Sequence, residues 1–389
     1  MERTCSLHRA GARLWGLDIL SGSMNKKKML ITVLVLVALA ALVYLQVKSW
    51  RKFDWQTFKE QTEDVKLFYV GLGVAVIYFD YYLRALRWKI LLRPVRQTTS
   101  SRLLAPTVIG FTGLALLGRP GEFIRPFLIA RKENLNMSSQ LAVWVVERIF
   151  DMGAFALITA VNILWAADRL QQLPGFASGA SKNIGRYHLS AFRIFELSGV
   201  GLLLAVALAS WFAIRVRKNP GAAARACERL LGGISQRLAT GVSHRVHKFG
   251  EGLNTIQDLK SFLQVSAISL LLWGTIGGAY VAVTHAYADI GPEITLSGAF
   301  LLTAGSVAGG LLQLPLVGGG SQLATITILQ KIFGFAPEVS TSCGIMLWLV
   351  TFMSVIPAGL ILAHFERVSF TKLEEESLEE EEKALDKIG

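Results

Sequence analysis

The sequence is poor in charged residues and in cysteine, and each shortage excludes a class of protein. Only 17% of the 389 residues are charged, 52% are hydrophobic and the mean hydropathy is +0.45, which is too apolar for a soluble domain of this length. Cys5, Cys227 and Cys343 stand without CxxC or CxxH spacing, which argues against a disulfide framework and a zinc site. No GxxxxGKS or GxxxxGKT motif marks a nucleotide-binding loop. We therefore predict no metal and no other cofactor.

What the sequence does contain is long apolar segments. A helix needs roughly 20 apolar residues to cross about 30 Å of hydrocarbon. Six segments reach this length, at 29–47, 67–91, 138–165, 192–214, 262–287 and 343–364. The sequence thus predicts an all-α polytopic membrane protein with about six full spans.

The net charge of +12 is better explained by membrane topology than by nucleic acid, because no nucleic-acid-reading motif accompanies it. Lys26, Lys27 and Lys28 before the first span indicate cytoplasmic N- and C-termini. In the extension 1–28, we expect translation to start at Met24.

The segment 215–260 has apolar residues spaced by three or four among basic ones, which predicts an amphipathic helix on the cytoplasmic surface. The tail 366–389 is predicted to be acidic and cytoplasmic.

Two interrupted apolar segments lie between the predicted spans. The run 103–117 has only 15 residues and leads into "GRPGEFIRP" at 118–126; a dip from 103 to 131 that returns to the same side keeps the basic segments inside. The second interruption falls at Pro315, Gly318, Gly319 and Gly320. Each half, about 67–165 and 262–364, then reads span, re-entrant helical hairpin, span, which predicts an inverted repeat. Alternatively, the glycines serve helix packing alone.

The predicted span 138–165 carries three charges within about a turn, at Glu147, Arg148 and Asp151. Three central charges cost roughly 8 to 10 kcal/mol on insertion scales, while the Leu, Ile, Val and Phe of the span return only about 4 to 7. Glu147 and Asp151 are four residues apart and share a helix face. This face is predicted to point into protein or water.

The span 67–91 contains Asp80, Arg84 and Arg87. The spacing of four residues predicts a local ion pair between Asp80 and Arg84. Two interpretations of the arginines stay open, since Arg84 and Arg87 either extend to the inner surface beside the hydrocarbon or serve a functional site.

The charges of the first hairpin also allow two interpretations. Arg119 and Arg125 suit an anionic headgroup, because a guanidinium fork matches phosphate, and Glu122 would hold an arginine while the site is empty. Alternatively, these three residues only clamp the hairpin to the span 138–165.

The stretch "GRPGEFIRPFLIARKENLNMSSQLAVWVVERIFDM" resembles the transmembrane region of the lysylphosphatidylglycerol synthases, the flippase-like or multiple peptide resistance factor family. The family's Pro-x-x-Gly-Glu-x-x-Arg-like hairpin falls on Gly121, Glu122 and Arg125. Its Glu-Arg-x-x-Asp helix falls on Glu147, Arg148 and Asp151. "RALRWKILL", from Arg84, looks like the family's second span.

The later signature of the family, Pro-x-x-Pro-Gly-Gly-x-Gly-x-x-Glu, is only partly kept. Pro315, Gly318 and Gly319 match it, but Val317 replaces the second Pro and Gln322 stands in part for the Glu. A role for a carboxylate in the second hairpin is therefore in doubt.

The resemblance covers about residues 25–365 and implies a flippase-like domain at 29–365 that moves lipids between leaflets. In relatives these lipids include aminoacylated phosphatidylglycerol and polyprenyl-linked sugars. The synthases add a C-terminal catalytic domain, whereas about 25 residues follow the last predicted span here, so we expect no aminoacylation and no catalytic residue. The expected location is a bacterial plasma (inner) membrane.

We expect membrane lipids as partners, with a separate lipid-modifying synthase or glycosyltransferase compatible with this role, no nucleic acid, and an oligomeric state that stays open. Two alternatives are a membrane-embedded transferase, with Glu122, Glu147 or Asp151 as general base, and a non-transporting subunit of a lipid pathway. The candidate substrate-binding residues are Asp80, Arg84, Arg87, Arg119, Glu122, Arg125, Glu147, Arg148, Asp151, Pro315, Gly318, Gly319, Gly320 and Gln322.

Overall fold

The structure, a computed structural model, describes residues 54–177, 181–184, 187–218, 258–310, 313–314 and 318–366, together with Gly221, Arg225 and Arg229. Several sequence predictions lie outside these residues. They are the extension 1–28 with its start at Met24, the span 29–47, most of the basic segment 215–260, the tail beyond Glu366, and Pro315.

The described chain is built from helices, with two short antiparallel strand pairs between them. The helices are α1 (Trp55–Glu63), α2 (Leu67–Leu92), α3 (Ser100–Leu117), α4 (Ile124–Glu133), α5 (Met137–Trp165), α6 (Ala167–Gln171), α7 (Pro174–Ala177), α8 (Ala191–Lys218), α9 (Leu259–His285), α10 (Leu296–Gly309), α11 (Gly320–Lys331), α12 (Pro337–Trp348) and α13 (Val355–Phe365). A 3-10 helix (Arg119–Phe123) precedes α4, and a π-helix (Leu349–Met353) joins α12 to α13. The strand pairs are β1 (Ser181–Ile184) with β2 (Tyr187–Ser190), and β3 (Gln313–Leu314) with β4 (Gly318–Gly319).

Every predicted span that falls within the described residues is helical. Among the residues that the structure describes, four helices are long and apolar enough to cross a membrane, namely α2, α3, α9 and the continuous helix Pro337–Phe365. The predicted spans 138–165 and 192–214 correspond to α5 and α8, which are outside this group. The chain is therefore a multi-pass membrane protein.

The first interrupted segment forms a helical hairpin. Its first helix, α3, has 18 residues rather than the predicted 15, because it begins at Ser100, where Thr99 accepts a hydrogen bond from the Arg102 backbone N–H, and it continues through Pro106. The chain turns at Gly118, whose φ of 72° and ψ of −145° suit glycine. The returning helix α4 packs so closely that a Cβ on Gly110 would lie 2.4 Å from the Cβ of Arg125.

The two ends of this hairpin meet. The Thr98 hydroxyl donates a hydrogen bond of 2.8 Å to Glu133 Oε1, and Arg102 Nε lies 3.4 Å from the same oxygen. The chain therefore enters and leaves the hairpin at neighbouring points.

The second interrupted segment forms a similar hairpin from α10 and α11. A Cβ on Gly309 would lie 2.1 Å from the backbone oxygen of Gly320, and one on Gly298 would lie 3.0 Å from Phe333. These contacts pair the end of α10 with the start of α11, and the start of α10 with the end of α11. The helices are therefore antiparallel.

The two halves of the chain pack reciprocally. The first hairpin contacts the last helix of the second half, where Thr112 Oγ1 donates to the Val355 carbonyl at 3.2 Å. The second hairpin contacts the last helix of the first half, where Asn162 Nδ2 donates to the Ser297 carbonyl at 3.1 Å. The first helices of the halves, α2 and α9, pack on each other around Gly73.

Helix α2 passes through two hydrophobic clusters. Ile77 and Tyr81 belong to a large cluster shared with α9 and α12, whereas Ala85 and Trp88 belong to a smaller one shared with α3, α4 and α5. Arg84 lies between Tyr81 and Ala85, where α2 passes from one cluster to the other.

Candidate functional site

Arg87 is the centre of a buried ion network. Its side chain is fully buried, with Nη2 donating to Glu147 Oε1 at 2.7 Å and Nη1 donating to Asp151 Oδ1 at 2.5 Å and to Ser269 Oγ at 2.8 Å. The arginine thus joins α2 to α5 and α9. The interpretation of Arg87 as a side chain that extends to the membrane surface is wrong.

Arg125 connects the first hairpin to the same carboxylate. Its Nη1 donates to Glu147 Oε1 at 3.1 Å and its Nη2 donates to Glu147 Oε2. The guanidinium also lies over the rings of Trp88 and Phe111, 4.4 Å and 5.2 Å from their centroids, where cation–π attraction adds stability. For Arg125, this geometry matches the interpretation in which the hairpin is clamped to α5.

Asp80 and Arg84 form the local ion pair that their spacing predicts. Arg84 Nε lies 2.7 Å from Asp80 Oδ2, while Thr275 Oγ1 of α9 donates to the other oxygen at 3.3 Å. Arg84 also lies over Phe111, 4.8 Å from the ring centroid. It is nearly buried, with 12% of its side chain exposed, so it does not extend to the surface either.

Arg148 lies at the edge of the network. Its Nη2 is 3.0 Å from Asp151 Oδ2 and 3.5 Å from Glu147 Oε2, and 36% of its side chain is exposed. The network thus sets four arginines against three carboxylates and has one excess positive charge. Because the most exposed member of the network is Arg148, that charge is accessible there.

Arg148 lines a cavity of about 360 Å³. Glu122 of the first hairpin also lines it, and the second hairpin contributes Ser306, Ser321, Gln322 and Thr325. The opposite wall comes from Tyr280 of α9 and from Trp348, Thr351 and Phe352 around the π-helix. Both hairpins therefore meet at one polar cavity, together with α5, α9 and α12.

The predicted site residues fall into three groups. Glu122, Arg148 and Gln322 line the cavity. The ion pairs of the buried network hold Asp80, Arg84, Arg87, Arg125, Glu147 and Asp151. Arg119, Gly318, Gly319 and Gly320 are not among the cavity-lining residues: Arg119 is exposed, Gly318 and Gly319 form β4, and Gly320 begins α11. The carboxylate that holds Arg125 is Glu147 rather than Glu122.

Sequence reasoning missed the hydroxyl residues of the site. Threonine is inconspicuous in an apolar helix because its hydroxyl can bond to its own helix, as Thr325 does to the Ser321 carbonyl at 2.9 Å and Thr351 does to the Leu347 carbonyl at 2.7 Å. Ser269 and Thr275, which bond to the network, gave no signal for the same reason. Ser321 and Thr325 are four residues apart and therefore share a helix face, which is the spacing that could have marked this wall in the sequence.

A comparison with known protein families gives a match over most of the chain. Residues 29–359 match the family described as Lysylphosphatidylglycerol synthase TM region. The match includes both hairpins, the buried network and every residue that lines the cavity. No curated protein matches the chain.

Proposed function

The chain belongs to the Lysylphosphatidylglycerol synthase TM region family, and from this premise we propose that it is a lipid flippase. Its substrate would be an anionic or aminoacylated phospholipid or a polyprenyl-linked glycolipid, which it moves between leaflets. The observation that carries the proposal is the polar cavity of about 360 Å³ where both hairpins meet. A headgroup needs such a polar route across hydrocarbon.

We propose that both hairpins are re-entrant. The contacts of Thr98 and Arg102 with Glu133 bring the ends of the first hairpin together, as expected if the chain enters and leaves the membrane on one side. Irregular backbone at membrane depth is tolerated where it borders protein or water. Glu122, in the 3-10 helix at the first tip, and Ser321, near the second tip, both line the cavity.

The reciprocal packing supports an inverted repeat. Each hairpin packs on the last helix of the other half, through Thr112 with Val355 and through Asn162 with Ser297. Two interrupted segments in corresponding positions of such halves mark the substrate site in many transporters. The cavity lies between them.

We propose different tasks for the two parts of the charged site. Arg87, Glu147 and Arg125 are buried and form ion pairs with one another, so they hold the first hairpin in position. Arg148 has an accessible guanidinium, which suits the phosphate of a headgroup. The acyl chains remain in the surrounding lipid.

We also propose that both termini are cytoplasmic, as in a bacterial inner membrane, and basic residues near the end of α13 support this for the C-terminal side. Arg96 and Arg102 lie 3.8 Å and 3.4 Å from Glu133, and Lys132 pairs with Glu366 at the end of α13 at 2.5 Å. An excess of Lys and Arg is typical of the cytoplasmic side. Transport would be driven by a gradient or by mass action.

The test is leaflet exchange of fluorescent phosphatidylglycerol and its lysyl derivative in proteoliposomes. The native chain should accelerate exchange, and Arg148→Ala and Glu122→Ala should abolish the acceleration. Exposed Arg169 and Glu293 provide matched controls, because Arg169→Ala and Glu293→Ala remove the same charges away from the cavity and should exchange like the native chain.

The same vesicles separate the alternatives. A new lipid species detected by mass spectrometry would indicate a transferase instead. Exchange no faster than in protein-free vesicles, over a panel that includes polyprenyl-linked sugars, would refute the flippase and leave a non-transporting subunit.

A further inference from the structure

Four basic residues lie at the base of the first hairpin, where the chain enters α3 and leaves α4. Two belong to the entering segment and two to the last turn of α4, and we call them the basic surface: Arg96, Arg102, Arg131 and Lys132. Arg96 Nε and Arg102 Nε lie 3.8 Å and 3.4 Å from the carboxylate oxygens of Glu133. This shared carboxylate brings both sides of the base together.

The basic surface has more positive charge than its ion pairs neutralise. Within the described residues, its four cations meet two carboxylates, Glu133 and Glu366. Glu133 is shared by two arginines, and Arg131 forms no ion pair with the described part of the chain. Two positive charges therefore remain after every observed pair has been counted.

This excess charge is accessible from outside. The side chain of Glu133 is only 2% exposed, whereas 54% of Arg96 and 58% of Arg102 are exposed, and Arg131 is exposed as well. At 3.8 Å, Arg96 Nε is beyond hydrogen-bond distance of the carboxylate. An approaching acceptor therefore meets guanidinium groups whose charge Glu133 offsets only in part.

The segment that follows α13 carries the opposite charge. Residues 374–382 read "EEESLEEEE", with seven glutamates and no Lys or Arg. Helix α13 ends at Phe365, and the next residue, Glu366, lies 2.5 Å from Lys132 Nζ, so the chain leaves α13 beside the basic surface. Because a residue spans at most about 3.6 Å, Glu374 lies within about 30 Å of Glu366.

We propose that the acidic segment 374–382 docks on the basic surface at the base of the first hairpin. The short connection to Glu366 keeps the segment at a high effective concentration near this surface. A single exposed ion pair is weak, but several that form together add up. The docked segment ties the end of α13 to the end of α4. This inference goes beyond lipid transport and does not depend on it.

Acidic lipid headgroups are the other anions that a surface close to a membrane meets. The acidic segment is the better match, because Glu366 at its start already contacts Lys132, and a lipid has no such attachment. Its seven glutamates also exceed the two charges that need a partner. The two occupants respond differently to the experiments below.

The first test measures labelling of arginines by phenylglyoxal in the full chain, held in phosphatidylcholine nanodiscs and analysed by peptide mass spectrometry. The comparison variant replaces all seven glutamates of 374–382 by glutamine. We expect Arg96, Arg102 and Arg131 to react about fivefold faster in this variant, which corresponds to about 1 kcal/mol of docking free energy. Exposed Arg169, in α6 beyond the far end of α5, should react at the same rate in both chains.

A second variant tests the charge excess itself. Arg131→Gln removes one of the two excess charges without breaking an ion pair among the described residues, so the protection of Arg96 and Arg102 should fall to about twofold. The matched control, Arg169→Gln, should leave it at about fivefold. In 1 M salt, where the Debye length is about 3 Å, the protection should disappear. Protection that neither Arg131→Gln nor salt reduces would refute the electrostatic contact.

Two other results would identify a different occupant or a different surface. Acidic lipid is the occupant if protection appears only after phosphatidylglycerol is added and is then equal with and without the glutamates. The segment docks on the basic region 215–260 if replacing the glutamates speeds labelling of Arg225 and Arg229 instead. Either result overturns the proposal, as does equal labelling of the two chains in all conditions. Leaflet exchange is not part of this readout, so the flippase proposal stands or fails separately.

Discussion

The two helical hairpins occupy corresponding places in the two halves, but different forces hold them. The first is fixed by ion pairs, since Arg125 binds Glu147 through both of its terminal nitrogens. The second is fixed by close backbone packing, since Gly309 lies against Gly320 and Gly305 lies against Ile328. Hairpins in corresponding positions of the two halves can therefore be held in place either by ion pairs or by close packing.

The difference extends to the cavity. The first hairpin presents a charge to it, Glu122, while the second presents hydroxyl and amide groups from Ser306, Ser321, Gln322 and Thr325. Charges are expensive in a membrane and require partners, whereas serine and threonine satisfy themselves on their own helix. The charged half is therefore the more sensitive to single substitutions.

The largest expected effect is that of Glu147→Gln. The change leaves Arg87 and Arg125 buried without their shared carboxylate, and breaking a buried pair from one side costs about 3–5 kcal/mol. Thermal unfolding in detergent should show a strongly lowered midpoint. Exposed Glu293→Gln is the control, and equal midpoints for both variants would show that the first hairpin does not depend on its ion pairs.

The corresponding change in the second hairpin is Gly309→Ala. The added Cβ would lie 2.1 Å from the Gly320 oxygen, whereas a Cβ on the neighbouring Gly310 would meet nothing within 4 Å. Overpacking of this kind costs about 1–3 kcal/mol, so Gly309→Ala should unfold at lower temperature than Gly310→Ala. If the two variants unfold together, steric fixation of the second hairpin is refuted.

A smaller effect is expected for Phe111→Leu. The ring lies beneath both Arg84 and Arg125, and loss of cation–π contact costs about 0.5–2 kcal/mol. The measurement is again the unfolding midpoint, with exposed Phe79→Leu as control. A midpoint as low as that of Glu147→Gln would mean that Phe111 contributes more by packing than by attraction to the cations.

The smallest effect concerns the first helix of each half. Asp258 begins α9 by accepting a hydrogen bond from the Ser261 N–H at 3.2 Å, whereas Lys66 at the start of α2 makes no side-chain cap. Hydrogen bonding from the Ser261 side chain, and to a lesser degree from its backbone N–H, lowers the pKa of the exposed Asp258 carboxyl. A lowered pKa stabilises the fold above the ordinary carboxyl pKa, and this stabilisation is lost as pH falls through the lowered value. Asp258→Ala should therefore destabilise the chain at neutral pH, and less in acid.

The control for this titration is Thr295→Ala, which removes the hydroxyl cap of α10. A hydroxyl does not titrate in this range, so its effect should be the same at both pH values. Equal pH dependence of the two variants would show that the carboxyl of Asp258 is not responsible.

The sequence predicted the helices well because length and apolar composition determine them. The predicted span 67–91 is the helix Leu67–Leu92, and the two hairpins lie where Gly118 and the glycines at 318–320 interrupt the apolar runs. The prolines nearby do not mark the interruption, since Pro106 and Pro126 both lie within helices. Proline near a helix start, as at Pro126 in the first turn of α4, does not interrupt it.

The site was predicted mainly where it is charged, and Gln322 is the neutral residue of the cavity lining that the sequence also indicated. Glu147, Arg148 and Asp151 were found because burying three charges in one span requires compensation. The cation that pairs with both carboxylates, Arg87, lies 60 residues from Glu147 along the chain, and no local spacing rule connects residues so distant. The cavity wall formed by Ser306 and Thr351 depends on how the halves pack, which residue spacing does not reveal.

Glu147 also limits how this protein can change over time. Its carboxylate serves two cations on different helices, Arg87 on α2 and Arg125 on α4. Exchanging the residues of one pair, so that position 147 becomes basic and position 125 acidic, would place a cation against Arg87. Replacing these ion pairs without loss of stability therefore requires substitutions at Arg87, Arg125 and Glu147 together. Descendants of the chain should keep all three residues or have all three replaced.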